Sequence, residues 1–145
     1  MNVFLRFLTL TLFLYAIPAQ AEKIVGGPKG GRMLEAEDFR AEFFVEKDHT
    51  VNLVFYDQDL KKIPVTTQTA SAVAEAPSGK VKLEFDKKND EFVSKSPLPE
   101  GHGYNVVVQL RGSEAGKLKN FRIPFETSTC GGCNRAEYAC TCDED

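Results

Sequence analysis

Residues 104–111 read YNVVVQLR, and the pattern of this stretch decides the fold class. Its apolar side chains recur at every second position, with polar side chains between most of them; the apolar set is Tyr104, Val106, Val108 and Leu110. A period of two places one face of a β-strand against a core and the other face toward solvent. The stretch therefore predicts a strand in a half-buried sheet.

The same alternation recurs in four other segments. Their apolar positions are Ala41, Phe43 and Val45; Val51, Leu53 and Phe55; Val81, Leu83 and Phe85; and Phe121, Ile123 and Phe125. Weaker strands are expected at 32–36, 69–75 and 91–94. The carboxylates on the opposite faces, Glu42 among them, are expected to face solvent. The shared parity predicts one core that contains Phe43, Leu53, Phe55, Leu83, Phe85, Val106, Val108 and Ile123.

Turn-forming residues separate these segments as an antiparallel protein requires. Turns are expected at 48–49, 77–79, 87–90 and 112–116, with a longer connection at 97–101. Pro124 lacks a backbone donor, so the last strand is expected at a sheet edge. Seven or eight short strands without an amphipathic helix predict an all-β fold, an immunoglobulin-like antiparallel β-sandwich with an irregular Cys-rich C-terminal tail. A small barrel is the alternative.

The first 21 residues of the 145-residue chain have the features of an export signal. Arg6 is their only charged residue, residues 7–17 are apolar, and Ala19-Gln20-Ala21 gives the small-x-small pattern of a cleavage site. The apolar run is too short for a stable transmembrane helix. The predicted organisation is a signal peptide at 1–21, a β-sandwich at 22–127 and a Cys-rich tail at 128–145. A periplasmic or secreted protein without a membrane anchor after cleavage is expected.

The segment 22–32 is rich in glycine and carries Pro28, so it is predicted to be an irregular loop. It lacks the Gly-Lys-Ser/Thr ending of a phosphate-binding loop. The net charge of −3 argues against a nucleic-acid partner, which would require a basic face. Neither a Gly-x-Ser-x-Gly motif nor a His-Glu-x-x-His motif is present, so no catalytic residues are predicted.

All four cysteines fall near the C-terminus in the pattern C-x2-C-x6-C-x-C, as Cys130, Cys133, Cys140 and Cys142. Four thiolates in a short span match the ligand set of a closed tetrahedral Zn²⁺ site, and soft thiolates also suit Cu(I). The glycines at 131 and 132 are expected to supply the positive φ angles of a tight metal-binding turn.

Two other readings of the cysteines remain open. An even number of cysteines in an exported protein is typical of disulfides. Cys140 and Cys142 are too close in sequence to pair comfortably with each other, so bridges between the two halves of the motif are easier. The other hypothesis is thiol–disulfide exchange through Cys130 and Cys133, although an all-β pattern does not favour a thioredoxin-like fold.

The two histidines are the remaining candidate metal ligands. His49 and His102 both lie in predicted turns, where a single His is usually a polar loop residue. They are far apart in sequence, whereas ligands generally cluster. They would converge only if their two loops shared one end of the sandwich.

Several short motifs carry a family resemblance. They are the run from Gly27 to Arg32, the segments 41–45 and 51–57, and the ending Cys130-x2-Cys133 with EYACTC at 137–142. Together they resemble a group of small exported bacterial proteins. The opening is also similar to the small β-domain of periplasmic adaptor subunits in heavy-metal efflux systems. The resemblance implies metal handling, with a periplasmic efflux or metal-trafficking protein as a partner, and supplies no catalytic residues.

Overall fold

The computed structural model describes residues 23–142, so the predicted signal peptide lies outside the described residues. Within this range the chain forms β-strands and one short 3₁₀ helix, Glu137–Ala139. No helix in the described part is long and apolar enough to cross a membrane. The strands are β1 (Val25–Gly26), β2 (Arg32–Glu35), β3 (Arg40–Val45), β4 (Val51–Tyr56), β5 (Thr69–Ala76), β6 (Gly79–Leu83), β7 (Phe85–Lys88), β8 (Glu91–Ser94), β9 (Tyr104–Arg111) and β10 (Lys119–Phe125).

The strands form two antiparallel sheets that pack face to face. One sheet has the order β1-β2-β3-β4-β8-β7, and the other has the order β10-β9-β5-β6. In immunoglobulin nomenclature, β3-β4-β8-β7 correspond to A-B-E-D and β10-β9-β5-β6 correspond to G-F-C-C′. The prediction of an immunoglobulin-like sandwich is confirmed, and two open sheets replace the closed sheet of the alternative barrel. The last strand, which carries Pro124, lies at a sheet edge as predicted.

The core between the sheets consists of the side chains that the alternation selected. All eight predicted core residues belong to it; seven are buried, and Phe85 is partly buried and packs against the others. Strand β10 pairs with β9 along its whole length, from Lys119 with Leu110 to Phe125 with Tyr104. This register puts Val106 opposite Ile123, so both side chains enter the same core.

The segment that contains Val81, Leu83 and Phe85 departs from the prediction of a single strand. β6 pairs with β5 in one sheet and ends at Leu83, whereas β7 begins at Phe85 and pairs with β8 in the other sheet. The chain therefore crosses between sheets at Glu84, and residues 87 and 88 extend β7 instead of forming a turn. The turn itself uses Asn89 and Asp90, both with positive φ. Alternation continues through the crossing because both strands face the same core.

A tyrosine at the start of β9 fixes the connection from β8. The Tyr104 hydroxyl donates a hydrogen bond to the Pro99 carbonyl at 2.8 Å, five residues upstream. This is the tyrosine corner of immunoglobulin-like sandwiches, in which a Tyr near the start of strand F bonds the preceding loop. The alternation placed Tyr104 in the core but did not predict the hydrogen bond.

The glycine-rich segment covers the second face of the six-stranded sheet. Val25 and Gly26 of this segment form β1, so the segment is not irregular throughout as predicted. The backbone N–H groups of Lys29 and Gly31 donate to the Glu42 carboxylate at 3.1 and 2.7 Å, and the Tyr56 hydroxyl donates at 2.9 Å. Glu42 is fully buried, so the expectation that it faces solvent is wrong. Strand β4 is buried on both faces as a result.

Candidate metal centre

Three connections lie together at one end of the sandwich: the β3–β4 turn, the β8–β9 loop and the segment after β10. The His49 carbonyl, in the turn, accepts a hydrogen bond from the Leu98 N–H at 2.8 Å. His102 Nδ1, in the loop, lies 2.8 Å from Glu126 Oε2, at the end of β10. The two histidine-bearing loops therefore share the end of the sandwich from which the cysteine segment emerges.

The cysteine segment, residues 128–142, folds back on itself directly after β10. The Glu137 N–H donates to the Ser128 carbonyl at 2.9 Å, and the Tyr138 N–H donates to the Glu126 carbonyl at 3.1 Å. Thr129 and Ala136 form an isolated antiparallel bridge between the two arms. These bonds bring the C-terminal cysteine pair back alongside the first pair.

Two residues of this segment enter the core of the sandwich. Tyr138 and Ala139 are buried, and the Tyr138 ring makes an edge-on contact with Phe43 at 5.6 Å between centroids. The Val45 N–H at the end of β3 donates to the Tyr138 hydroxyl at 3.0 Å. Because Tyr138 stands two residues before Cys140, this anchor fixes the C-terminal half of the cysteine motif against the sheets.

The first cysteine pair is carried by a tight turn. The Cys130 N–H donates to the Arg135 carbonyl at 2.7 Å, and the Asn134 N–H donates to the Cys130 carbonyl at 3.1 Å. The positive φ of this turn belongs to Asn134, so the expectation that Gly131 and Gly132 supply it is wrong. Asn adopts this conformation more readily than most residues with a side chain.

Gly132 has a different role, because a sulfur packs against its backbone. A Cβ atom added there would meet Cys142 Sγ at 2.5 Å, closer than such contacts occur. The absence of a side chain at this position therefore lets the last cysteine of the motif lie directly beside the first turn. No atom lies within 4 Å of the equivalent position at Gly131, so a side chain would fit there.

The four Sγ atoms converge, with all of them within 4.8 Å of one another. The Sγ atoms of Cys130 and Cys142 are 3.8 Å apart, and those of Cys133 and Cys140 are 3.7 Å apart. Cys130 and Cys140 lie at disulfide-bonding distance, with their Cα atoms 6.0 Å apart. The bridge therefore joins the two halves of the motif, as expected for disulfides, and does not join Cys130 to Cys133 as the exchange hypothesis required.

This arrangement can serve two kinds of chemistry. Four thiolates bound to zinc at about 2.3 Å occupy the corners of a tetrahedron with edges of about 3.8 Å. Two of the four cross-motif separations, 3.7 and 3.8 Å, match that edge. The Cα separation of Cys130 and Cys140 also falls within the range that a disulfide requires. The cluster can therefore hold a metal ion or form a disulfide.

Burial and hydrogen bonding differ among the four sulfurs. Cys130 is buried, Cys133 and Cys140 are half-buried, and Cys142 is exposed. Hydrogen bonds from the backbone of Thr141 and then of Arg135 lower the pKa of the Cys133 thiol below its ordinary value. A thiolate is the form that binds metals, so donors aimed at this sulfur favour the ligating state.

The histidines stand apart from this cluster. Among residues 23–142, the convergent group of His, Cys, Asp and Glu side chains consists of the four cysteines, and neither His49 nor His102 belongs to it. His102 instead pairs with Glu126 on the surface. The backbone of Ser128 and the nearby His102 side chain lower the pKa of the Glu126 carboxyl.

Comparison with protein-family models, with curated proteins and with solved structures gives no significant match.

Proposed function

We propose that this protein is an exported, non-enzymatic β-sandwich whose cysteine cluster holds a thiophilic metal ion, either Zn²⁺ or Cu(I). The observation that carries the proposal is the convergence of all four Sγ atoms within 4.8 Å of one another. Two disulfides would need only two separate close pairs, whereas a tetrathiolate site needs every sulfur near every other. Two of the cross-motif separations, 3.8 and 3.7 Å, match the edge of a tetrahedral site and support the proposal.

The role that follows is to hold or pass metal outside the cytoplasm. The signal-like segment at 1–21 supports a periplasmic or secreted location, and the resemblance to efflux adaptor domains supports a metal-efflux or metal-trafficking protein as a partner. The exposed Cys142 gives the bound ion an open side through which a partner's ligand can approach. The buried Cys130 keeps the opposite side of the cluster closed.

A structural module with an oxidised tail is the second candidate function. The observation that favours it is the Cys130–Cys140 pair, which already lies at disulfide distance. In an oxidising compartment such a bridge would close the cysteine segment over the end of the sandwich. A second bridge between Cys133 and Cys142 would complete this form.

Zinc loading tests the first candidate. Protein without the predicted signal peptide, residues 22–145, is reduced, loaded with Zn²⁺ in the absence of oxygen, desalted and analysed for zinc ions per chain. We expect one ion per chain, with Cys133→Ser lowering this stoichiometry while the β circular-dichroism spectrum stays unchanged. Reduced zinc occupancy at lower pH is also expected, because protons compete for the thiolates.

The matched controls are His49→Ala and His102→Ala, at the same end of the sandwich but outside the cluster. Both should retain full zinc occupancy. Failure of the reduced wild-type protein to take up Zn²⁺ or Cu(I) would refute the metal site. A mass four hydrogens below the fully reduced value, in metal-free protein from its native compartment, would establish the structural module instead.

A further inference from the structure

Two sulfurs of the cysteine cluster, those of Cys130 and Cys140, can either bind a metal ion or form a disulfide, but cannot do both at once. Cys130 and Cys140 are two of the four convergent ligands, and they are also the pair at disulfide distance. We propose that a small-molecule disulfide oxidises the metal-bound cluster, joins Cys130 to Cys140 and expels the metal ion. This inference rests on the metal binding proposed above and adds a reaction to it.

The backbone around this pair is suited to both states. The Cys130 N–H is bonded to the Arg135 carbonyl at 2.7 Å, and the Cys140 N–H is bonded to the Glu137 carbonyl at 3.1 Å. Tyr138 and Ala139 anchor the second arm in the core. With both arms fixed and all sulfurs within 4.8 Å, exchange between a metal–thiolate cluster and a disulfide requires only side-chain movement.

Within the Cys130–Cys140 pair, exposure decides which sulfur meets the oxidant first. Cys130 is only 6% exposed, so a dissolved disulfide cannot reach its sulfur directly. Cys140 is half-buried and accessible. Its thiolate attacks one sulfur of the oxidant RSSR, forming a mixed disulfide and releasing RS⁻. The Cys130 thiolate then attacks the Cys140 sulfur and releases the second RS⁻.

The electrons balance across these two steps. The two cysteine sulfurs lose two electrons together, and the oxidant gains them as it becomes two thiolates. The metal ion keeps its charge and loses two of its four ligands. Cys133 and Cys142 alone form an incomplete site, so a Zn²⁺ ion passes to water or to a competing chelator. Reduction of the Cys130–Cys140 bond restores the four thiolates.

The test uses zinc-loaded full-length protein, oxidised glutathione as the oxidant and a chromogenic zinc chelator as the indicator. We expect release of one zinc ion per chain, formation of two reduced glutathione molecules per chain, and a Cys130–Cys140 bond in peptide mapping after alkylation. Addition of reductant and Zn²⁺ should restore the loaded form. Zinc retention throughout, or a bond between any other pair, would overturn the inference while leaving the metal site intact.

Two variants separate the reaction from metal binding. Cys142→Ser keeps the reacting pair, so oxidised glutathione should still form the Cys130–Cys140 bond although zinc binding is weakened. Cys140→Ser removes the entry sulfur, so Cys130 should remain reduced under the same conditions. Oxidation of Cys130 in that variant would also contradict the mechanism. A reduced wild-type protein that takes up neither Zn²⁺ nor Cu(I) at the outset would defeat the proposed function, and this inference with it.

Discussion

Glu42 shows how one buried residue organises a whole segment. Its carboxylate accepts two backbone N–H groups of the glycine-rich loop and the Tyr56 hydroxyl, and it has no exposed surface. A buried carboxylate is unfavourable unless donors surround it, and here the loop supplies them. The backbone N–H groups of the glycine-rich loop thus bind a carboxylate of the same chain. Gly27 lies so close to Glu42 that a side chain there would collide with it.

Replacing this carboxylate by an amide should therefore destabilise the protein. In Glu42→Gln an NH₂ group faces donors that the carboxylate oxygens had satisfied. Leaving a buried donor unsatisfied costs about 1–3 kcal/mol of the free energy of unfolding. Urea denaturation measures this loss. The control is Glu84→Gln, in a surface ion pair with Lys95, which should cost less than about 1 kcal/mol.

Equal stability of Glu42→Gln and the wild type would mean that the loop does not depend on this carboxylate.

Glu42 also marks a limit of what the sequence can predict. Alternation correctly put Ala41 and Phe43 toward the core and Glu42 on the opposite face. Whether that opposite face meets solvent depends on a loop eleven residues or more away in sequence, which a period of two cannot reveal.

At the scale of elements, the β8–β9 connection depends on one hydroxyl. The Tyr104 O–H group reaches the Pro99 carbonyl, while its ring packs on Phe125 with centroids 5.1 Å apart. Tyr104→Phe keeps the ring and removes the hydrogen bond. A loss of about 1 kcal/mol is expected, because the Pro99 carbonyl is only partly shielded and water can replace the donor. Urea unfolding measures the loss, and an unchanged m-value would show that the surface exposed on unfolding is the same in both proteins.

The stability loss of Tyr104→Phe is compared with that of Leu83→Ala. The latter removes packing from the same core and leaves the side-chain hydrogen bond of Tyr104 in place. Its side chain is fully buried, and the expected loss is about 2–5 kcal/mol. A Tyr104→Phe variant as stable as the wild type would show that the corner is a consequence of the fold and does not stabilise it.

The elements that the sequence predicted are those whose signals are local. The hairpin β9–β10 and the strands β3 and β4 follow from alternation and turn residues over short distances. The crossing at Glu84 left no trace in the pattern, because strands in both sheets present apolar residues to one core. The cysteine cluster was predictable because its members are close in sequence. Its anchoring through Tyr138 was not, since Val45 is 93 residues away.

At the scale of the whole molecule, three buried tyrosines link stability to alkaline pH. Burial raises the pKa of Tyr56, Tyr104 and Tyr138, that of Tyr104 to about 12 from an ordinary value of 10.0. The hydrogen bond to Glu42 raises the pKa of Tyr56 further. Each phenol therefore loses its proton more easily in the unfolded chain than in the folded one. Tyr104 and Tyr138 lie in the core between the sheets, and Tyr56 lies on the other face of the six-stranded sheet, so the effect involves both buried regions of the sandwich.

The contribution of these tyrosines to the free energy of unfolding should accordingly be constant below pH 10 and should fall as the pH rises from about 10 to 12. In that interval the native protein binds more protons than the unfolded chain, so the free energy of unfolding decreases with pH. The lowered pKa of Cys133 has the opposite effect on stability: the free energy of unfolding rises with pH while this thiol ionises in the folded protein, and the rise ends near its ordinary pKa of 9.0. It therefore does not overlap with the decline that the tyrosines cause. Denaturant unfolding at several pH values, with tyrosinate absorbance as a direct readout, measures the decline. Tyr104→Phe should show a shallower decline than the wild type, because one of the three linked protons is missing. The measurement uses protein without residues 1–21, and hence without Tyr15. Tyrosinate absorbance that rises near pH 10 in this folded protein would mean that the three phenols are exposed to solvent and would contradict the burial on which the prediction depends.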